Sequence, residues 1–93
     1  MGVFLIGYDL ISPGKDYSAI ISDIKKSFPN YWNCLDSTWL VNTQHTAEQI
    51  ANHLLQFLDG NDRLIVIPIL VGGGGIWTES FNKECQDWLR ANL

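Results

Sequence analysis

The sequence predicts a small α+β fold built around an antiparallel β-sheet. Apolar runs of strand length alternate with segments whose apolar residues recur at helical spacing, and clusters of Gly, Pro, Asn and Asp separate them. The length of 93 residues and the hydrophobic fraction of 46% predict one packed, soluble domain rather than a disordered chain. The order of the segments along the chain then predicts the architecture.

The first strand is predicted at residues 3–8, which form a continuous apolar run. Pro13 and Gly14 predict a loop at residues 11–16, and Asp16 can cap the helix that follows. This helix is predicted at residues 17–28, because Pro29 stops it. Its apolar stripe consists of Tyr17, Ile20, Ile21, Ile24 and Phe28.

Two further strands are predicted at residues 31–35 and 37–43, where aromatic and β-favouring residues are frequent. Asn33 and Asp36 interrupt this segment, so the strands are joined by a tight turn or continue through a bulge. Thr46 and Gln49 match the capping-box pattern. A second helix is therefore predicted from this point to about residue 58.

A fourth strand is predicted at residues 64–71, after the turn sequence DGND. Pro68 cannot donate a backbone hydrogen bond, which places this strand at an edge of the sheet. The glycines at 72–75 form a hinge between the core, residues 1–71, and a third helix at about 78–92. The apolar stripe of this helix consists of Phe81, Cys85, Trp88 and Leu89.

The element order strand, helix, strand, strand, helix, strand is typical of a ferredoxin-like α+β sandwich, here with an additional C-terminal helix. In that topology both inner helices cover one face of the sheet. The first strand is central and the fourth lies at an edge. The whole chain, residues 1–93, is predicted to form this single domain.

Both faces of the predicted sheet are apolar. In the first strand Phe4, Ile6 and Tyr8 point to one side, and Val3, Leu5, Gly7 and Asp9 point to the other. A sheet face open to water is normally polar, so something must cover the second face. We expect the C-terminal helix to cover part of it and a second copy of the chain to cover the rest. If the Phe4 side meets the helices, Asp9 lies near the centre of that homodimer.

The charge and the cysteine content indicate which partners and which cellular compartment to expect. The net charge of -4 works against non-specific attraction to nucleic acid, which would need a local basic patch or a metal ion. The N-terminal residues do not match the pattern of a signal peptide and no apolar run has membrane-spanning length, so we expect a cytoplasmic protein without membrane contact. Cys34 and Cys85 lack CxxC spacing, so we expect two reduced, structural thiols.

Several segments together resemble the CRISPR-associated protein two family, the small subunit of spacer acquisition. They are a first strand that ends in YDL, the segment LDSTWLV, and a second helix followed by DRLIVIPI. The chain is similar also to the virulence-associated protein D ribonucleases and to stand-alone bacterial relatives. The resemblance covers residues 1–69 and leaves the glycine run and the third helix unmatched.

The resemblance implies a ferredoxin-like homodimer, in some members a metal-dependent nuclease and in others a structural partner of an integrase. The acid that ends the first strand is the family's proposed magnesium ligand, and it matches Asp9. Tyr8 matches the aromatic residue before that acid, and Ser37 matches the serine that opens the third strand. The basic residues usual after the acid are replaced by LISPGKD, which retains only Lys15.

Each candidate residue has a functional and a structural interpretation. Two Asp9 carboxylates, one from each chain, could hold Mg²⁺ and its water for attack on a phosphodiester, or Asp9 could accept backbone N–H bonds in the next turn. Asp36 could be a second acidic ligand or the first residue of an Asx turn. Ser37 and Thr38 could orient phosphate or water, or satisfy a turn.

Other polar and aromatic residues carry weaker signals. Trp32 and Trp39 could stack on bases, although tryptophans at such positions more often belong to a core or a dimer interface. His45 and His53 lack metal-ligand spacing to each other or to a cysteine. The glycine run has no phosphate-loop lysine after it.

The sequence therefore leaves two functional hypotheses. The first is a homodimeric, Mg²⁺-dependent endonuclease that acts on RNA or DNA through paired Asp9. The second is a non-catalytic dimeric adaptor that binds another protein through its sheet face or its C-terminal helix. A small-ligand regulatory domain of the same fold has no specific motif in its favour.

Overall fold

A computed structural model describes residues 1–11 and 17–93 of the chain, and these residues form an α+β fold with a four-stranded antiparallel sheet. Residues 12–16 of the predicted loop at 11–16, with the predicted cap Asp16, lie outside the described residues. In chain order the elements are β1 (Gly2–Asp9), α1 (Ser18–Ser27), β2 (Tyr31–Trp32), β3 (Thr38–Thr43), α2 (Ala47–Leu55), β4 (Arg63–Ile69) and α3 (Lys83–Asn92).

The strand order in the sheet is β2-β3-β1-β4. Strand β1 is therefore an inner strand that pairs with β3 and β4, and β4 lies at an edge, as the sequence predicts. Pro68 is paired with Phe4 across β4 and β1. Its missing N–H is tolerated because an edge strand has hydrogen-bonding positions that need no partner strand.

The larger core lies between the sheet and helices α1 and α2. Ile6 of β1 is completely buried there, and Phe4 and Tyr8 pack against the same cluster. These three residues therefore face the helices, which is the condition under which the sequence places Asp9 on the second face. The buried members of this core are Ile6, Ile20, Ile24, Phe28, Trp39, Val41, Ile50 and Leu54. Each such side chain stabilises the fold by about 1.5–3 kcal/mol relative to an exposed position.

A second core lies on the opposite face of the sheet, where α3 covers part of the apolar surface. Val3, Leu40 and Trp32 of the sheet pack with Leu89 of α3. Further contacts fix the helix: the indole Nε1 of Trp32 donates to the carbonyl of Cys85 at 3.1 Å, and that of Trp88 donates to the Asn30 side chain at 2.8 Å. The expectation that the C-terminal helix covers part of this face is confirmed.

A disulfide joins Cys34, just after β2, to Cys85 in α3. The prediction of two reduced thiols is therefore wrong. The two residues are 51 positions apart in the sequence, but the docking of α3 brings their Cα atoms to 6.3 Å. This separation lies within the range that a disulfide requires, and it arises from tertiary packing that spacing rules do not capture.

Strand β2 is shorter than the predicted strand at 31–35. The side-chain amide of Asn33 donates to the carbonyl of Leu35 at 3.0 Å and to that of Thr38 at 3.2 Å. These bonds compete with strand pairing and turn the chain at residues 33–37. The two predicted strands are therefore separated by a turn and are not one bulged strand.

The two later helices also differ from their predicted limits. Helix α2 begins with the predicted capping box, in which Thr46 and Gln49 exchange hydrogen bonds of 2.9 and 3.1 Å. It ends at Leu55, because the next backbone bonds, such as Phe57 to Leu54, form tighter turns. Helix α3 begins at Lys83, where the Asn82 side chain caps the Cys85 N–H.

The glycine run forms the irregular connection that the sequence predicts between β4 and α3. Gly72 and Gly74 have φ values of +94° and +67°, which residues with side chains rarely adopt. The Gly72 N–H donates to the carbonyl of Leu93 at 2.9 Å, which links the connection to the end of α3. Among the described residues, no helix combines the length and the apolar character that crossing a membrane requires.

Candidate functional site at the end of β1

Asp9 is the last residue of β1, and its side chain is exposed. It lies on the face opposite α1 and α2, because side chains alternate along the strand and Tyr8 packs on the helix side. This is the face on which the sequence places Asp9 if the Phe4 side of β1 meets the helices. Its partner across the β1–β4 pair is Arg63, the first residue of β4.

A shallow cavity of about 350 Å³ surrounds this position. Its lining includes four of the five site candidates from the sequence, namely Tyr8, Asp9, Ser37 and Thr38. Asp36 is exposed but is not part of the lining. The remaining lining residues are Gly7, Arg63, Leu64 and Ile65. The fold thus brings together the end of β1 and the starts of β3 and β4.

Tyr8 contributes to this cavity mainly through its position in the strand. Its hydroxyl accepts a hydrogen bond from the Trp39 indole at 2.8 Å, and its ring packs against the helix-side core. The phenol therefore points away from the face that carries Asp9. The Tyr8 N–H donates to the carbonyl of Ser37 at 3.4 Å, which holds the turn before β3 beside the end of β1.

The Asp9 carboxylate has no hydrogen bond or ion pair with any other described residue. The turn-forming role that the structural interpretation assigned to Asp9 is filled by Asp62. One carboxylate oxygen of Asp62 accepts from the Ile11 N–H at 2.9 Å and from the Tyr17 hydroxyl at 2.7 Å. Its other oxygen accepts from the Asp59 N–H at 2.9 Å.

Arg63 is a site residue that the sequence reasoning missed. It follows the turn sequence DGND by one position and is 54 residues from Asp9 in the chain, yet β4 pairs with β1 and places the two residues side by side. Directly opposed residues on paired strands have Cβ atoms about 4.5–5.5 Å apart. Only the pairing register between the first and fourth predicted strands could have indicated Arg63 from the sequence.

Among the described residues, the cavity is lined by one carboxylate, that of Asp9, which bears on metal binding. No group of three His, Cys, Asp or Glu side chains suited to a metal ion occurs among the described residues. Mg²⁺ is commonly held by one or two carboxylates and several waters. An exposed Asp9 without a partner in the described part of the chain fits such an ion when a second copy supplies a second Asp9.

The sheet face around Asp9 is only partly covered. Ile65 and Ile67 of β4 lie on this face, with 53% and 41% of their surfaces exposed. We call the surface formed by Gly7, Asp9, Arg63, Ile65 and Ile67 the open half-face. Helix α3 covers the other half, around Val3 and Leu40. Two exposed isoleucines on a sheet face are unusual for a surface that meets only water.

A second polar cluster links α1 to α2. Nε2 of His53 lies 2.6 Å from an Asp23 carboxylate oxygen and 3.4 Å from the Ser27 hydroxyl. A catalytic triad needs the acid and the serine on different imidazole nitrogens, so this arrangement provides no base for Ser27. Asp23 and Ser27 are four residues apart on α1, a spacing that places them on one side of a helix. These contacts hold α1 and α2 together.

The two candidate base-stacking residues are buried. Trp39 is 1% exposed and belongs to the helix-side core, and Trp32 is 5% exposed beneath α3. Neither ring is available as a platform for a base, so their interpretation as core residues is confirmed. His45 lies in the segment before α2, as predicted, and its imidazole contacts Phe28 edge to face.

No protein-family model matches the chain, and no solved structure matches it with significance.

Proposed function

We propose that the protein is a homodimeric, Mg²⁺-dependent phosphodiesterase acting on RNA or DNA and resembling the CRISPR-associated protein two family. The observation that carries this proposal is the Asp9 carboxylate. It is exposed, makes no bond to the other described residues, and lies beside the open half-face. A carboxylate in this situation is available for a ligand.

The element order and the strand order β2-β3-β1-β4 support the ferredoxin-like assignment on which the resemblance depends. The open half-face supports the dimer. Ile65 and Ile67 would be buried by a second copy packed sheet to sheet, and a two-fold axis would bring each patch onto its equivalent. Such a contact brings the two Asp9 residues towards each other.

The residues of the cavity have distinct roles in this proposal. Paired Asp9 carboxylates hold the ion, which supplies a polarised water and charge stabilisation for in-line attack on a phosphodiester. Ser37 and Thr38 lie at the rim, where their hydroxyls can donate to phosphate oxygens. Both residues lie beside the end of β1, because Thr38 pairs with Gly7 and the Ser37 carbonyl accepts from the Tyr8 N–H.

The test combines metal dependence with substitution of Asp9. Labelled single-stranded RNA and DNA are incubated with wild type, Asp9→Asn and Glu48→Gln, with Mg²⁺ or EDTA. We expect cleavage only with Mg²⁺, loss of cleavage in Asp9→Asn, and full activity in the Glu48 variant, since Glu48 is exposed on α2. Cleavage that survives in Asp9→Asn would contradict the paired-acid mechanism.

A non-catalytic dimeric adaptor is the second candidate, and two observations favour it. The net charge is -4, which opposes nucleic-acid binding. A largely apolar cavity of about 450 Å³ also lies between the second sheet face and the segment before α3, with the exposed Leu35 and Ile76 among its lining residues. An adaptor predicts a dimer that cleaves neither nucleic acid at any Mg²⁺ concentration.

The proposal also concerns the cellular compartment of the protein. The sequence favours the cytoplasm, but disulfides persist mainly in oxidising compartments. The Cys34–Cys85 bond therefore favours an oxidising environment for this protein.

A further inference from the structure

Arg63 lies directly across the β1–β4 pair from Asp9 and lines the same cavity. We infer that Arg63 is a substrate-binding residue that holds a phosphate group of the nucleic acid beside Asp9, an inference that rests on the proposed function. It adds a cation to Lys15, the one basic residue in the segment after Asp9. This nucleic-acid contact is made from the start of β4.

The Arg63 side chain is available for such a contact. The ion pairs within the described part of the chain join His53 to Asp23, and both Lys83 and Arg90 to Asp87. Arg63 takes part in none of them, although an acidic residue stands opposite it in the strand pair. Its side chain is exposed at the cavity, so its guanidinium can reach a ligand without breaking any of these ion pairs.

The chemistry of the cavity suits a phosphodiester. Guanidinium presents paired N–H donors in a planar fork that matches two phosphate oxygens, and charge-assisted bonds of this kind are strong. The hydroxyls of Ser37 and Thr38 add neutral donors at the same rim. A divalent ion on the Asp9 side would neutralise the carboxylates and leave Arg63 as positive charge for the substrate.

The position of Arg63 is also well defined. The pairing of β1 with β4 runs without interruption from Val3 opposite Ile69 to Asp9 opposite Arg63. The adjacent Asp62 anchors the preceding turn to Ile11 and Tyr17. The backbone that presents the guanidinium is thus held on both sides, which favours a specific contact over a diffuse one.

The experiment separates binding from cleavage. Fluorescence anisotropy measures the affinity of Asp9→Asn protein, which the proposed mechanism expects not to cleave, for fluorescein-labelled single-stranded RNA and DNA of one sequence. Arg63→Gln and Arg63→Lys are added to this background. Lys26→Gln on the exposed side of α1 is the matched control, because it removes the same charge from a different surface.

We expect Arg63→Gln to weaken binding about tenfold and to reduce the salt slope of the binding constant by about 1 for each phosphate that the protein no longer neutralises. Arg63→Lys should keep the slope and weaken the affinity less than Arg63→Gln does, and Lys26→Gln should change neither. Three outcomes would each overturn the inference. They are equal effects of Arg63→Gln and Lys26→Gln, unchanged binding in Arg63→Gln, and no measurable binding by the Asp9→Asn protein with Arg63 intact. Arg63-dependent binding by a wild type that does not cleave would overturn the proposed catalysis alone.

Discussion

Cys85 in the first turn of α3 is covalently bonded to Cys34, which follows the short strand β2. The disulfide lies at the N-terminal end of α3, and the hydrogen bond between Gly72 and Leu93 lies at its C-terminal end. Between them, Leu89 is buried against the sheet. The helix is thus held on the second face by one covalent and several non-covalent contacts, which fixes how much of that face stays open.

Removing the disulfide should lower the free energy of unfolding by about 2–4 kcal/mol, because the bond closes a long loop in the unfolded chain. The change is the double substitution Cys34→Ser and Cys85→Ser, measured by urea denaturation. Wild type unfolded with an excess of a dithiol reductant is the control and should show a similar decrease. A midpoint that neither treatment shifts would mean that the bond does not form in solution.

Asp62 should stabilise the fold through its hydrogen bonds with Ile11 and Tyr17. Its carboxylate accepts hydrogen bonds from Ile11, Tyr17 and Asp59, so Asp62→Ala leaves these donors without that partner. We expect a decrease of about 1–3 kcal/mol in the free energy of unfolding. Asp36→Ala is the control, because Asp36 is exposed and lies outside the cavity lining. Equal and small effects of the two substitutions would contradict the anchoring role.

The contrast between Asp9 and Asp62 shows what the sequence could predict. The face of the sheet on which Asp9 lies follows from the alternation of side chains along β1, which depends only on local geometry. The partners of Asp62 and the position of Arg63 depend on how β4 pairs with β1, more than 50 residues away in the chain. No residue near Asp62 in the sequence indicates Ile11 or Tyr17 as its partner.

The same distinction applies to the elements. The capping box of Thr46 and Gln49 is a local pattern, and it predicted the start of α2 correctly. The length of β2 was overestimated because Asn33 bonds to the carbonyl of Thr38, in the next strand. The disulfide was missed because α3 has to dock before Cys34 and Cys85 meet. Interactions between distant segments decided the placement of Asp62, Arg63 and the disulfide.

Gly7 and Ile65 should be energetically coupled. A Cβ atom added at Gly7 would lie 3.2 Å from Cγ2 of Ile65, closer than ordinary van der Waals contact. We expect Gly7→Ala to be more destabilising in wild type than in an Ile65→Ala background, with a coupling free energy of about 0.5–1 kcal/mol. Thermal or urea unfolding of the four proteins in the cycle measures it. Additive effects would show that Ile65 moves aside at no cost.

The open half-face gives a direct test of the proposed dimer. Ile65→Lys and Ile67→Lys place charges on exposed apolar positions of β4, and a sheet-to-sheet contact would have to bury them without partners. We expect wild type to have a dimer mass by light scattering and each variant to have a monomer mass at the same concentration. Both positions are partly exposed in the single chain, so the fold of the variants should be retained.

Ile21→Lys is the matched control, since Ile21 is an exposed apolar residue of α1 on the far side of the sheet. It should leave the mass of the dimer unchanged. A monomer mass in Ile21→Lys alone would move the interface to the helical layer and separate the two Asp9 residues. If wild type has a monomer mass at every concentration, two Asp9 carboxylates do not share an ion, because a single chain offers one Asp9 carboxylate at this cavity.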